Sequence, residues 1–269
     1  MKLIVKALLI LSVIAVALGA ITYNMMSSNV KQSGKLSLVQ QNSASEKRPV
    51  SNEITQVNMN GPFDLVIKKS DQASLTVQGE ERLLPRVLVQ QEGKVLHIST
   101  KGMLVTMNQT LRITLNLPDL TSLTQTGSGD TEVSGFAGKE LTLNMTGSGD
   151  LSYSGQYQHT EIQNHGSGDA VLEAGNGERI DMVCGGSGDI EVVGKVNLFN
   201  VVLTGSGSID AQRLITAQTE AISHGSGHLK VYAGKQINVI STGSGDVEVY
   251  GNPVKKVISK TGTGDVSLN

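Results

Sequence analysis

Six aspartates close a short repeated string in this 269-residue chain. Asp130, Asp150, Asp169, Asp189 and Asp246 each end a Gly-Ser-Gly-Asp tetrad, and Asp265 ends Gly-Thr-Gly-Asp. In the two remaining copies Ser208 and His228 stand in the Asp position. Carboxylates brought side by side can hold a cation, accept hydrogen bonds from sugar hydroxyls, or act as the paired groups of a retaining glycosidase, which need a separation of about 5 Å. The uninterrupted run Asp130, Asp150, Asp169 and Asp189 is therefore the candidate ligand or cation ladder. Metal chemistry is weakly signalled. Calcium takes roughly six to eight oxygens, and the calcium-binding repeat has a nonapeptide period that these strings do not reproduce. Catalysis is signalled less still, because the carboxylates recur without a distinctive pair or a supporting Arg/His cluster. No catalytic residue, metal ligand or cofactor is assigned, and the protein is not expected to be an enzyme. The competing account of the aspartates is architectural, each side chain bonding the free N–H groups of its own turn.

The other reactive side chains read as structural. His165 and His224 occupy the position before the first Gly of their tetrads, and His228 replaces an Asp. His224 and His228 are four apart, but on a turn and not a helix, so zinc spacing arguments do not transfer. Cys184 is the single cysteine, which excludes an intrachain disulfide, and it is expected as a buried free thiol. Thr126, Thr146, Thr204, Thr242 and Thr261 form a partial file that His165, Gly185 and His224 interrupt, so an unbroken ice-binding array is not expected.

What positions the aspartates is a repeat. The first glycines are Gly127, Gly147, Gly166, Gly186, Gly205, Gly225, Gly243 and Gly262, at intervals of 20, 19, 20, 19, 20, 18 and 19. Each is followed two residues later by Gly129, Gly149, Gly168, Gly188, Gly207, Gly227, Gly245 or Gly264. One residue past the Asp position come Thr131, Leu151, Ala170, Ile190, Ile209, Leu229, Val247 and Val266, with a mostly polar residue next and an apolar one after it. That is the period of a strand with one buried face. Four residues before the first Gly, Leu123, Leu143, Ile162, Met182, Val201, Ala221, Val239 and Ile258 are all apolar, so a second strand precedes the turn. Each unit is strand, corner, strand and a looser return. Stacking them at about 4.8 Å gives a parallel β-helix with coils of about 19 residues, all-β and right-handed by the rule for parallel connections. The paired glycines are then structural corner residues, suited to a sharp turn by their access to positive φ and to close stacking by their lack of a Cβ.

Upstream, Phe63–Lys69, Ala73–Gly79, Val87–Thr100 and Leu111–Leu117 alternate apolar with polar residues. They are expected as a less regular N-terminal β part, with a hairpin turn at Glu92-Gly93 and a short helical turn near Leu83-Leu84-Pro85. Residues 26–52 are rich in Ser, Gln and Asn and read as a polar tether. Lys2 and Lys6 precede an apolar run from Ala7 to Ile21, so residues 1–25 are expected as a signal peptide or a retained membrane anchor. No cysteine follows the run, so a lipoprotein anchor is not expected. The formal charge of −2 offers no electrostatic footprint for nucleic acid or for a membrane surface beyond that segment. Aromatics are 3% with no Trp, so the core must be aliphatic.

Gly61-Pro62-Phe63-Asp64, Leu83-Leu84-Pro85, Leu117-Pro118-Asp119-Leu120 and the recurring corners, in that order, resemble the head GIN domain family over about residues 52–269. The resemblance implies an exported bacterial β-helix of the cell envelope, in the periplasm or on the inner membrane if anchored, with no established activity and no catalytic residues to carry over. A C-terminal membrane barrel of the auto-transporter kind is not expected after the last corner. The expected domains are thus 1–25, 26–52 and a GIN-like β-helix at 53–269 with its repeats at 121–269. The expected function is a binding or adhesion module for a glycan or an envelope protein. A ligand-free structural or assembly role, with self-association through β-helix ends, is the alternative, and a polysaccharide-cleaving β-helix the more remote one.

Overall fold

A computed structural model describes residues 43–102 and 111–269. The segment expected as signal or anchor, and most of the expected tether, lie outside the described residues. Residues 43–269 form one compact unit. Its strands are β1 (Ser43–Arg48), β2 (Gln56–Asn60), β3 (Phe63–Lys69), β4 (Ser74–Glu80), β5 (Val87–Glu92), β6 (Val95–Thr100), β7 (Leu111–Leu117) and β8 (Ser122–Thr126). The repeat region continues with β9 (Thr131–Met145), β10 (Leu151–Asn164), β11 (Ala170–Asn176), β12 (Arg179–Cys184), β13 (Ile190–Leu203), β14 (Ile209–Ala211) and β15 (Leu214–Ser223). It ends with β16 (Leu229–Tyr232), β17 (Gln236–Ser241), β18 (Val247–Tyr250), β19 (Lys255–Lys260) and β20 (Val266–Leu268). The strand from each corner pairs in parallel with its equivalent one coil on, as in Leu151↔Ala170, Ala170↔Ile190 and Ile190↔Ile209. The protein is the parallel β-solenoid that the repeats predict.

Burial follows the column pattern. Leu123, Leu143, Ile162, Met182, Val201, Ala221 and Val239 line the interior before the corner, and Leu151, Ala170, Ile190, Ile209, Leu229 and Val247 line it after. The mixed column two residues before each Gly also points inward: Gln125, Met145, Asn164, Cys184, Leu203, Ser223 and Ser241 are all buried. Small and polar residues are admitted there because some find backbone partners. Asn164 Oδ1, for example, accepts from the Gly166 N–H at 2.9 Å. Cys184 is a buried free thiol, and burial pushes its pKa up to about 12. In the last coil the same columns open to solvent, with Ile258 and Leu268 exposed.

Of the two reasons the sequence suggests for the corner glycines, close stacking is the one that holds at this corner. Among them only Gly127 has a positive φ, 136°. What excludes a side chain is the coil beneath. A Cβ on Gly147 would sit 1.8 Å from Gly127 O, on Gly186 1.8 Å from Gly166 O, and on Gly188 2.0 Å from Gly168 O. That approach lets the first Gly carbonyl accept the next coil's Ser N–H, as Ser148 N→Gly127 O at 2.8 Å and Ser167 N→Gly147 O at 3.0 Å. The backbone ladder thereby reaches into the turn.

Three features depart from the sequence reading. The N-terminal part is not merely less regular, because β2 and β3 make a full coil. Gly61-Pro62-Phe63-Asp64 stacks beneath Gly127-Ser128-Gly129-Asp130: β2 pairs in parallel with β8, β3 with β9, and a Cβ on Gly129 would fall 1.9 Å from Phe63 O. The segment from β4 to β7 is an excursion between those two corners. In it β4 pairs antiparallel with β7, and β5 with β6 around Gly93 as expected. The short helical turn is a 3-10 turn at Leu84–Arg86. Second, Ser43–Arg48, within the stretch read as tether, is a strand paired antiparallel with β4 along six residues. Its polar side chains are mostly exposed, so the pairing is made by backbone and leaves no hydrophobic pattern to read. Third, the return is not loose. A second corner follows at Gly135, Gly155, Gly175, Gly194, Gly234 and Gly251, eight or nine residues after each first Gly except where Arg213 intervenes. Gly135 and Gly175 take φ of 86° and 60° there, so at this corner the conformational freedom of glycine is used.

Gly186→Ala should lower the unfolding free energy by about 3 kcal/mol or more, since the clash is with backbone that cannot repack. Ser187→Ala, one residue away and exposed, should change it by less than about 0.5 kcal/mol. Equal urea midpoints for the two proteins would refute this account of the corner.

Candidate functional site

At the corner the N–H of the residue in the Asp position finds no carbonyl, and where an Asp lies one coil below, its side chain supplies the acceptor. Asp130 Oδ1 accepts from the Asp150 N–H at 3.0 Å, Asp150 Oδ1 from Asp169 N–H at 2.8 Å, Asp169 Oδ1 from Asp189 N–H at 2.8 Å, and Asp189 Oδ1 from Ser208 N–H at 2.8 Å. The series begins earlier, with Asp64 Oδ1 and Asp130 N–H at 3.3 Å, and resumes with Asp246 Oδ1 and Asp265 N–H at 2.8 Å. Each aspartate thus bonds to the next coil, and not to its own turn as local Asx chemistry suggests. Magnitudes explain why a file of like charges is tolerated. Carboxylates about 4.8 Å apart repel by about 0.9 kcal/mol in water, while a hydrogen bond to an ionised acceptor contributes about 1.5–3 kcal/mol.

The file is exposed, and the second oxygen of Asp130, Asp150, Asp169 and Asp189 has no protein partner among the described residues. Beside it on the outer face after the corner runs Glu132, Ser152, Val171, Glu191, Asp210, Lys230 and Glu248, in register from coil to coil. At the N-terminal end these two files border a groove of about 380 Å³ lined by Asp64, Asp130, Asp150, Asp169, Arg112 and Ser152, among others. Arg112 enters it because β7 sets it opposite Asp64. Asp189, the fourth residue of the expected ladder, lies beyond the groove, and Asp64 takes part in its place at the other end. Asp64 was legible in principle, because Gly61 and Asp64 reproduce the first and last residues of the tetrad. The 66-residue interval and the Phe in place of the second Gly hid it.

No group of three or more His, Cys, Asp or Glu among the described residues is arranged to hold a metal ion. His224 Nδ1 lies 2.6 Å from Thr242 Oγ1, and His228 Nδ1 lies 3.8 Å from Asp246 Oδ2, so the two histidines serve different neighbours. His165 is exposed on the threonine file, where Thr126 and Thr146 hydroxyls meet at 3.0 Å. A separate polar cluster lies on the face before the corner. Asp181 accepts from Arg179 Nε at 2.6 Å and Asn200 Nδ2 at 2.8 Å, with His159 Nε2 at 2.6 Å. Partial burial alone would raise its pKa, but the bonds from Arg179, Asn200 and His159 override that and hold it at about 2.

The family model described as "Putative auto-transporter adhesin, head GIN domain" matches residues 53–253. The chain belongs to the head GIN domain family. Among solved structures, this GIN domain is similar to a putative adhesin from Parabacteroides distasonis, with 20% identity, a TM-score of 0.77, and coverage of 86% of this chain and 98% of that one. It is similar to a putative lipid binding protein from the same species, at 25% identity and TM-score 0.71 over 86% and 98% of the two chains. A putative adhesin from Bacteroides fragilis follows at 20% identity and TM-score 0.66, with the same coverage. No curated protein matches the chain. The family and its adhesin relatives agree with a module of adhesion type and carry no enzyme description.

Two outcomes are expected for the GIN domain's carboxylates. Asp169→Ala orphans the Asp189 N–H and should cost about 1–2 kcal/mol in urea unfolding, whereas Asp169→Asn keeps an acceptor oxygen and should cost clearly less; indistinguishable variants would remove the rung from the account. Asp181 ionises more easily folded than unfolded, so its contribution is full above the ordinary carboxylate value of 3.8 and is lost as pH falls toward about 2. Stability measured across that window should fall less steeply in Asp181→Asn than in the unaltered protein, and parallel curves would show the cluster to be inert.

Proposed function

We propose that this protein is an exported cell-envelope binding module of adhesion type, and that the outer face following the first corner receives a glycan. The observation that carries the reading is the carboxylate-lined groove. Asp64, Asp130, Asp150 and Asp169 are each fixed through one oxygen by the backbone of the next coil. The other oxygen of each points to no protein donor among the described residues, so the groove offers a row of preset acceptors at the coil spacing. Sugar hydroxyls are donors of matching density, and Arg112 and Ser152 add donors at the same surface. Acceptors that are already oriented lose little entropy on binding. Every carboxylate is held in the same way, which suits repetitive recognition of a polymer and gives no pair the distinct environments that acid and nucleophile require. Export is supported by the basic start and apolar run of residues 1–25 and by the adhesin description of the family.

The test is titration of the full chain against a panel of bacterial and host polysaccharides, neutral and acidic, beside a variant with Asp130, Asp150, Asp169 and Asp189 changed to Asn. Because Asn keeps the acceptor oxygen, the variant should fold. Saturable binding by the unaltered protein that the variant weakens is expected. Binding by neither protein would overturn the glycan reading, and equal binding by both would move the site off the ladder.

A further inference from the structure

The described aromatic residues divide sharply. Phe63, Phe136, Tyr153, Tyr157 and Phe199 are buried, and only Tyr232 and Tyr250 stand on the outside, both partly exposed. These two are opposed in register on β16 and β18, in consecutive coils. They extend from the same outer face as the groove, three coils further along from Val171 through Glu191, Asp210 and Lys230.

The pair is built in. The Tyr232 ring reaches across the second corner: a Cβ on Gly251 would lie 3.2 Å from its Cε2, and one on Gly234 would lie 3.8 Å from its Cε1. At Gly251 the ring adds to a backbone contact that already excludes a side chain, while at Gly234 it lies at ordinary van der Waals distance. Tyr250 is held by its hydroxyl, which donates to Glu248 Oε2 at 2.8 Å, and Asn269 Nδ2 donates to the same oxygen at 3.4 Å. The Tyr232 hydroxyl has no protein partner among the described residues. Asp210, Lys230 and Glu248 form the adjoining file, and Gln212 donates to Asp210 Oδ2 at 3.1 Å. Apolar ring surface bordered by carboxylates, an amide and an ammonium is the chemical complement of a pyranose, whose C–H face is apolar and whose rim is hydroxyl. Tyrosine supplies such surface at small cost in side-chain entropy. In a chain this poor in aromatics, these two stand together outside the core.

We infer that Tyr232 and Tyr250 form a sugar-stacking subsite for a neutral polysaccharide, with Asp210, Lys230 and Glu248 bonding the hydroxyls of the ring seated on them. The two tyrosines are one coil apart, close to the advance of one pyranose residue along an extended polymer. One chain laid parallel to the solenoid axis would place successive residues on successive rungs. The bordering acids, Asp210 and Glu248 against Lys230, disfavour a polyanion. The inference rests on reading the protein as a binding module and assigns the ligand class of the same face.

The experiment titrates the full chain with dextran, mannan and laminarin, with alginate as the acidic comparison. Two double variants accompany it. Tyr232→Phe with Tyr250→Phe keeps both ring faces. Tyr232→Leu with Tyr250→Leu keeps apolar bulk over Gly234 and Gly251 but removes the flat aromatic surface. The expected result is binding to at least one neutral polymer that the Phe pair retains and the Leu pair weakens by about tenfold or more, at unchanged melting temperature. Equal binding by the Leu pair would overturn the subsite and leave the Asp-ladder reading standing. Binding of alginate alone would overturn the subsite as well. No binding to any polysaccharide by the unaltered protein would overturn both.

Discussion

Every coil of this protein turns by bringing a glycine Cα onto the carbonyl of the glycine beneath it. The contact allows no Cβ, and in return the Ser N–H of one coil reaches the Gly carbonyl of the last. A parallel stack ordinarily loses its ladder where the chain bends, and buried backbone groups left unpaired are costly. Here the bend keeps a bond to the coil beneath at the Ser or Thr between the two glycines, from Ser148 to Thr263. The aliphatic columns inside can then be regular, because the corner fixes which residues face inward, and the strict alternation of buried and exposed positions on either side follows from it.

The aspartate completes the same device. Its carboxylate takes an N–H that the bend turns away from any carbonyl, and so the corner exports a row of half-used acceptors to the surface. Structure and candidate function therefore draw on different oxygens of the same group. Holding the turn consumes Oδ1 and leaves the other oxygen without a protein partner among the described residues, so the role of corner does not preclude a second one. The reading also explains why Ser208 and His228 can interrupt the file without ending the solenoid: the Gly carbonyl ladder passes through both coils, from Ser206 N–H to Gly186 O and from Ser226 N–H to Gly205 O.

The repeated region was nearly transparent in the sequence because one-dimensional spacing and three-dimensional stacking coincide there. Leu123 to Ile258 and Thr131 to Val266 could be read as columns before any coordinates. Legibility failed where contact and spacing part. Asp64 sits under Asp130 across an excursion of several strands, and β1 pairs through backbone with no apolar pattern to betray it. Of the two roles expected for the tetrad glycines, positive φ is used only at Gly127, while close stacking against another coil, the other role expected, decides the matter. For the same reason the partner of each Asp is invisible in its own tetrad. The second glycine column, from Gly135 to Gly251, was visible as a spacing of eight or nine but is easily lost beside the stronger motif. Tyr232 and Tyr250 were likewise visible as residues, yet only the register shows that they are neighbours.

The two corners differ in how they treat length. Register slips by a residue between Ser154 and Gly155 and again between Glu173 and Asn176, and Gly194 pairs with Leu214 although Glu191 pairs with Asp210. All three slips fall at the second corner. The first corner is a fixed datum and the second an expansion joint, so coils of 18, 19 and 20 residues return to the same starting line. In a strand, a one-residue error would turn every following side chain to the wrong face. In this solenoid such errors are cancelled once per coil, before they can propagate.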